Sequence, residues 1–472
     1  MIFNSFQFLV FFPIVAIVYY LLIGGGKTLT NTWLLIASYY FYLNLNPVYG
    51  ILLAIITVLT FVSGWGLERV NKTKSKRKIL TLCLLLNFSS LFIFKYYNFV
   101  NDSFSELLSV CGLRWDVPYL KVLLPIGISF FTFQAAGYII DVYRGSVRAE
   151  HNLLTYALYV SFFPVILAGP IQKAKVFLPQ LKEKHTLAYD NVISGLKMML
   201  WGYFMKLCVA DRLGTYVDSV FNNIPSHNGF SIVIASIFYT FQIYGDFAGY
   251  SQTALGCAKV LGFNLPENFK RPYFSTSIKE FWKRWHIALS SWFMEYLYFP
   301  LGGSRVNYAR YLLNLMIVFL VSGLWHGAAW TFVLWGALHG LYQIMEALYK
   351  KYFGELQYHH WWSKVIKISL VFLLVNIAWI FFRANTITDA FIAIIKIFNC
   401  PGKPFLSPMA MLFGMLSLVI LVIKDFADEY KPSMKLLSSD NKVVSIVSSS
   451  FLAIYIILFG VLDSSQFIYF QF

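Results

Sequence analysis

Apolar runs long enough to cross a lipid bilayer recur along this chain from one end to the other. A helix rises about 1.5 Å per residue, so about 20 apolar residues cover a hydrocarbon core about 30 Å thick. Such runs, some shortened by breaks, occupy 2–23, 32–45, 48–67, 79–97, 119–140, 192–209, 230–250, 365–382, 408–423 and 443–462. Only 13% of the 472 residues are charged and 58% are hydrophobic, a balance outside the range of soluble domains. Hydrocarbon offers no water to the backbone, so each spanning segment must satisfy its own N–H and C=O groups. The fold class expected is therefore an all-α polytopic membrane protein. The runs and the shorter apolar pieces between them predict about eleven to thirteen membrane-embedded helices, some of them short. No internal repeat or linker divides the sequence, so 1–472 reads as one integral-membrane domain. Its core is expected at 119–382, with peripheral helices at 1–97 and 408–462.

Charge gives the orientation. The net charge is +16, from 38 basic and 22 acidic residues. In a membrane protein this excess marks cytoplasmic loops and contact with anionic lipid; there is no soluble domain to present a basic face to nucleic acid. The densest basic loop, ERVNKTKSKRK at 68–78, is expected in the cytosol. The N-terminal run lacks any charge before Lys27, so an outside N-terminus fits, and three spans from there reach the cytosolic side. The stretch 98–117 reads as a polar surface piece. Pro125, Gly127 and Gly137 predict a broken helix at 119–140, and 153–168, with basic flanks on both sides, reads as re-entrant. Five cysteines, an odd number without paired spacing, give neither a disulfide framework nor a metal motif.

Chemistry concentrates between Phe269 and Gly340, in FKRPYFSTSIKEFWKRWHIALSSWFMEYLYFPLGGSR and LNLMIVFLVSGLWHGAAWTFVLWGALHG. His326 stands in an apolar run, and an ionisable side chain at such depth points to function. Neutral imidazole is a natural base for an alcohol near neutral pH. Gly323 and Gly327 allow close approach, and Trp325 and Trp330 could wall a slot. The bland alternative is a buried histidine bonded to a neighbouring helix. His286, forty positions earlier (326 − 286), follows Trp285 in a basic segment that also reads as a membrane-surface helix, which would leave it in the headgroup region. The PLGGSR turn separates the two, so only tertiary structure can bring them together. His339 lies thirteen residues past His326, about 220° around a continuous helix, and is expected to face away. Lys270, Arg271, Lys279, Lys283, Arg284 and Arg305 could hold donor phosphates, although positive-inside topology explains them equally well. Asp246, deep in YGDFAGYS, is expected to orient a helix end or pair with a buried cation.

These strings resemble the membrane-bound O-acyltransferase family, in its bacterial branch for alginate O-acetylation. The likeness covers nearly the whole chain: MIFNSFQFLVFFP, LPIGISFFTFQAAGYIIDVYRG, FFPVILAGPI, FQIYGDFAGYSQTALG, LGFNLPENFKRPYFSTSIKEFWKRWHIALSSWF, EYLYFPLGGSR, LVSGLWHGAAWTFVLWGALHG, WIFFRANTITDA and FIYFQF occur in that order. The resemblance implies a ring of tilted, partly re-entrant helices around a central tunnel. It implies His326 as catalytic residue and His286 as its partner. Trp285, Trp325, Lys283, Arg284, Asp246 and Arg305 are the candidate substrate contacts read from the residues around them. The resemblance implies no bound cofactor or metal, but acetyl-CoA or a similar acyl thioester as cytosolic donor. It further implies a polysaccharide acceptor outside the cell, a partner of the SGNH-hydrolase type, and a multi-pass location in the bacterial cytoplasmic (inner) membrane. The chain departs from the pattern at Met294-Glu295, where Arg-Asp is expected, and at Gln252, where Asp is common. Acetylation of peptidoglycan, cellulose or another exopolysaccharide, and D-alanyl transfer to teichoic acid, are alternatives inside the family. A transporter without chemistry and a structural scaffold are alternatives outside it.

Overall fold

The computed structural model describes residues 1–113, 115, 117–354, 360–431, 436–461 and 467–468. Among them the ordered backbone is helical, with short 3-10 and π-helical stretches and no strand. Eight helices are long and apolar enough to cross a membrane: Phe6–Gly25, Pro47–Arg69, Thr73–Val110, Tyr189–Phe221, Gly229–Val260, Tyr308–His326, Trp361–Arg383 and Lys442–Phe459. Many start at residues whose side chains accept a first-turn N–H. Ser5 takes Phe8 N, Asn46 takes Val48 N just ahead of Pro47, and Asn307 takes Arg310 N.

The chain divides into two compact units, one of 1–189 with 258–265 and one of 190–257 with 266–472. In the first, the helix Leu153–Ser161 has only nine residues. It spans about 14 Å, half of a bilayer core, as a re-entrant segment requires. The helix Ile128–Arg144 begins only after Gly127, which holds φ 81° where a Cβ would strike the Ile166 carbonyl at 2.5 Å. The break expected at 119–140 is therefore real. The polar piece expected at 98–117 is different. The helix does not end at Tyr97 but runs through a π-helical stretch, Phe92–Tyr96, to Val110. No Gly or Pro interrupts it, and its polar residues have a use: Asn98 and Asn101 donate to the carbonyls of Leu120 and Val117 and pin the following loop.

The second unit is built on a seam between Tyr189–Phe221 and Gly229–Val260. Cβ atoms at Gly245 and Gly249 would meet the Met205 carbonyl and the Gly202 carbonyl, each at 2.8 Å, and one at Gly256 would meet the Gly195 carbonyl at 2.5 Å. Small residues at this spacing let two membrane helices bring their backbones together. Midway along the seam, Phe204–Ala210 is π-helical and carries Lys206. Lys206 is 6% exposed, and its ammonium bridges Asp246 at 2.6 Å and Asp211 at 2.8 Å. The buried cation expected as a partner for Asp246 is thus Lys206, one of two lysines in the apolar run 192–209.

A methyl group at Gly249 has no room, whereas one at Gly66 meets only ordinary contact with Ile79 at 3.8 Å. Gly249→Ala should destabilise by about 1–3 kcal/mol, while Gly66→Ala should be neutral or stabilising. Thermal unfolding of the two variants in one detergent compares them directly, with a lower melting temperature expected for Gly249→Ala alone.

Candidate active site

Both histidines belong to the second unit, and both sit where a helix stops. His286 lies between two seven-residue helices, Ile278–Arg284 and Ile287–Phe293, as the cap of the latter. It is fully buried and not in a headgroup layer. Its backbone is left-handed, φ 43°, a conformation costing a side-chain-bearing residue about 1–2 kcal/mol. Asn268 holds it there. The Asn268 Oδ1 accepts from Ala288 N at 3.2 Å and from His286 Nδ1 at 3.1 Å, while its backbone carbonyl accepts from Ile287 N at 2.9 Å. Its Nδ2 donates to Ser251 Oγ at 3.2 Å, anchoring the turn to the Gly229–Val260 helix.

His326 is the last residue of Tyr308–His326 and is 2% exposed. The chain turns at Gly327, where a Cβ would overlap the Phe332 ring at 2.1 Å, and resumes as Trp330–Phe353. These two helices lie close because Cβ atoms at Gly323 and Gly336 would each come within 2.3 Å of a carbonyl on the other helix. His326 Nδ1 donates to the Ser322 carbonyl at 2.7 Å.

These bonds assign the protons. A carbonyl only accepts, and an amide oxygen already receiving an N–H is likewise an acceptor, so each Nδ1 carries the hydrogen. In neutral imidazole the lone pair then lies on Nε2, the atom a base needs. Trp325 is edge-on to both rings, with centroids 5.8 Å from His286 and 5.0 Å from His326. Trp335 at 4.7 Å and Phe382 at 5.6 Å complete the aromatic wall of His326; Phe247 at 4.6 Å and Phe269 at 6.2 Å line His286. The structure thus brings together His286, Trp325 and His326.

Two sequence expectations meet a different geometry. Trp330 is 51% exposed and does not wall the slot; the completely buried Trp335 takes that place. His339 was expected to face away on a helix shared with His326, but the chain breaks at Gly327 and the two lie on different helices. Both pack against Trp335, His339 at 5.0 Å, and Trp282 Nε1 donates to His339 Nδ1 at 3.2 Å. Trp285 lies behind His286, with ring neighbours Phe269, Phe281 and Trp379 between 5.0 and 5.6 Å away.

The charged candidates stand elsewhere. Arg284 bonds Glu280 at 2.7 Å and Glu429 at 2.9 Å, and Arg271 bonds the same Glu429 at 2.8 Å. Burial raises the Glu280 carboxyl, but bonds from Thr276 and Arg284 outweigh this and hold it below the usual carboxylate range. Lys283 and Arg305 are exposed, as are Lys270 and Lys279. Asp246 is committed to Lys206 and accepts from Ile468 N at 2.7 Å. Asn268 and Trp335 were not singled out in the sequence, because neither residue type marks chemistry by itself. Lys206 could have been, as a cation deep in the apolar run 192–209.

Residues 144–386, which contain both histidines and the rings around them, match the model of the membrane-bound O-acyltransferase family. The chain belongs to that family. It is 38% identical over 396 residues to "Probable alginate O-acetylase AlgI" of Pseudomonas aeruginosa, covering 83% of this chain and 73% of that protein. It is 34% identical over 421 residues to the peptidoglycan O-acetyltransferase of Helicobacter pylori, covering 83% and 78%. A more distant relative, the teichoic acid D-alanyltransferase of Bacillus subtilis, is 26% identical over 260 residues, covering 52% and 65%. The chain is accordingly a multi-pass membrane protein and an O-acyltransferase.

The left-handed backbone at residue 286 sets a stability prediction apart from chemistry. Asparagine tolerates this conformation better than alanine does. His286→Asn should be more stable than His286→Ala by about 1 kcal/mol, read as a higher melting temperature in detergent, although both lack the imidazole.

Proposed function

We propose that this acyltransferase takes acetyl from acetyl-CoA, or a similar thioester in the cytosol, for O-acetylation of an extracytoplasmic polysaccharide of the alginate kind. The observation carrying this reading is the pair of buried imidazoles flanking Trp325, each with its Nε2 lone pair set by a bond at Nδ1.

The proposed reaction is direct transfer. His326 Nε2 takes the proton of the acceptor hydroxyl as the oxygen attacks the thioester carbonyl. The new C–O bond forms, the C–S bond breaks, and the departing thiolate receives the proton from His326. His286, with its Nδ1 hydrogen committed to Asn268, offers an acceptor at Nε2. That suits positioning of a donor N–H or the acceptor hydroxyl better than stabilisation of an oxyanion. No cofactor is required, since the thioester is a substrate.

The lining favours an uncharged acyl group. The rings facing the two histidines are Trp325, Trp335, Phe382, Phe247 and Phe269, and none carries an anion for an ammonium. The nearby carboxylates have other partners: Asp246 is held by Lys206, and Asp425 accepts from Tyr244 at 2.8 Å. This supports acetyl over D-alanyl. The exposed Lys270, Lys279, Lys283 and Arg305 suit the phosphates of a CoA-type donor, whereas Arg284 is already neutralised by two glutamates. The names of the relatives support a polysaccharide acceptor, and the H. pylori relative makes peptidoglycan the second reading. Placement in a bacterial inner membrane, with an SGNH-type partner completing transfer outside, belongs to the same proposal.

Purified protein in proteoliposomes, given radiolabelled acetyl-CoA inside and acceptor outside, should place label on the acceptor or its partner. His326→Ala should lower the rate about 100- to 10,000-fold. Near-normal transfer by a correctly inserted His326→Ala protein would refute the base assignment.

A further inference from the structure

Asp246 has a second commitment that the proposed reaction does not use. One carboxylate oxygen meets Lys206 at 2.6 Å, and the other accepts the backbone N–H of Ile468 at 2.7 Å. The preceding residue, Phe467, is 3% exposed. Its ring lies 4.8 Å from that of Tyr250 and 5.7 Å from that of Phe247. Phe247, one residue beyond Asp246, stands edge-on to His286 at 4.6 Å. A chain segment distant in sequence is therefore fixed at one end by a buried carboxylate, and its aromatic side chain backs the ring that faces His286.

The parts depend on each other physically. Lys206 and its two carboxylates are nine-tenths or more buried, and such charges hold position only while paired. Gly245 and Gly249 bring the helices close enough for the pairing. That fixes Asp246, which fixes Ile468 and places Phe467 against Phe247. A ring packed between such neighbours transmits position rather than absorbing it, because interiors are close-packed.

We infer that Phe467 and Asp246 are positioning residues for His286: the 467–468 segment, held by Asp246, forms the back wall that sets the His286 ring through Phe247. Its catalytic consequence rests on the function proposed above, but the placement of the ring does not, so the two can be tested separately.

Carbethoxylation of His286 by diethyl pyrocarbonate, read by mass spectrometry on the full-length protein in liposomes, needs no acyl donor. Loss of the wall should let the site open locally. Phe467→Ala is expected to raise the His286 labelling rate about fivefold or more, with Phe467→Leu intermediate and the exposed His360 unchanged as internal control. Asp246→Ala leaves Lys206 its bond to Asp211 and should produce the same rise by releasing Ile468. In the acetyl-transfer assay, Phe467→Ala should lower kcat about tenfold while KM for acetyl-CoA stays within about twofold, the split expected when orientation rather than binding is lost. Wild-type labelling of His286 in both Phe467→Ala and Asp246→Ala would overturn the inference. Faster labelling of His286 alongside a wild-type protein that transfers no acetyl would leave the positioning role standing and refute the donor assignment instead.

Discussion

A peptide group inside hydrocarbon has no water to bond, and most of this structure follows from that constraint. It makes every spanning element a helix and places each helix break under pressure to find substitute partners. The breaks are informative for that reason. Non-helical backbone in the second unit occurs at 285–286, next to His286, and at 327–329, immediately after His326. Each break is stabilised by a specific device: Asn268 bonds three groups of the first turn, and the absence of a side chain at Gly327 leaves room for Phe332 at the second. Helix ends expose backbone carbonyls and free side chains from the regular face. The two histidines therefore lie at the points where the fold departs from helix, and the same departures orient their rings.

Much of this was legible in the sequence, and the limits are physical. Length and apolarity of the runs gave the all-helical membrane class. The broken helix at 119–140 could be read because glycine at positive φ and proline are local signals. The pairing of Asp246 with a buried cation could be read because an isolated charge at depth needs a partner. Periodicity failed for His339, since the angle between two residues has meaning only on one helix and Gly327 ends the first. Nearness in sequence to His326 misled at Trp330, which the new helix leaves exposed, while Trp335, five residues further on, is buried. The extension to Val110 was hidden because the polar residues there suggested a separate piece on the surface, whereas Asn98 and Asn101 were binding the following loop. Asn268 carries no sequence signal at all, as its role depends on a turn seventeen residues or more away.

The distribution of charge separates two functions within one unit. Permanent charges occur as closed sets: Lys206 with Asp211 and Asp246, and Arg271 and Arg284 with Glu280 and Glu429. Such sets cost desolvation and add little net stability, but they fix geometry, since breaking one member leaves a buried charge unpaired. The rings around the histidines are uncharged. The two imidazoles stand among aromatic rings, and neither Nδ1 is bonded to a carboxylate. The Nδ1 partner is a carbonyl or an amide oxygen, which sets the tautomer.

In the transfer proposed above, that arrangement suits a base that must act and then return its proton. A carboxylate behind the ring would stabilise the imidazolium and slow its return of the proton to a leaving thiolate. A neutral carbonyl such as Ser322 O orients the ring without that penalty. In the same proposal the aromatic walls would serve to exclude water, the competing acceptor that would turn acyl transfer into thioester hydrolysis. Orientation by neutral partners and exclusion of water by indole and phenyl rings thus answer one requirement, and the ion-pair sets placed away from the rings keep the scaffold rigid enough to meet it.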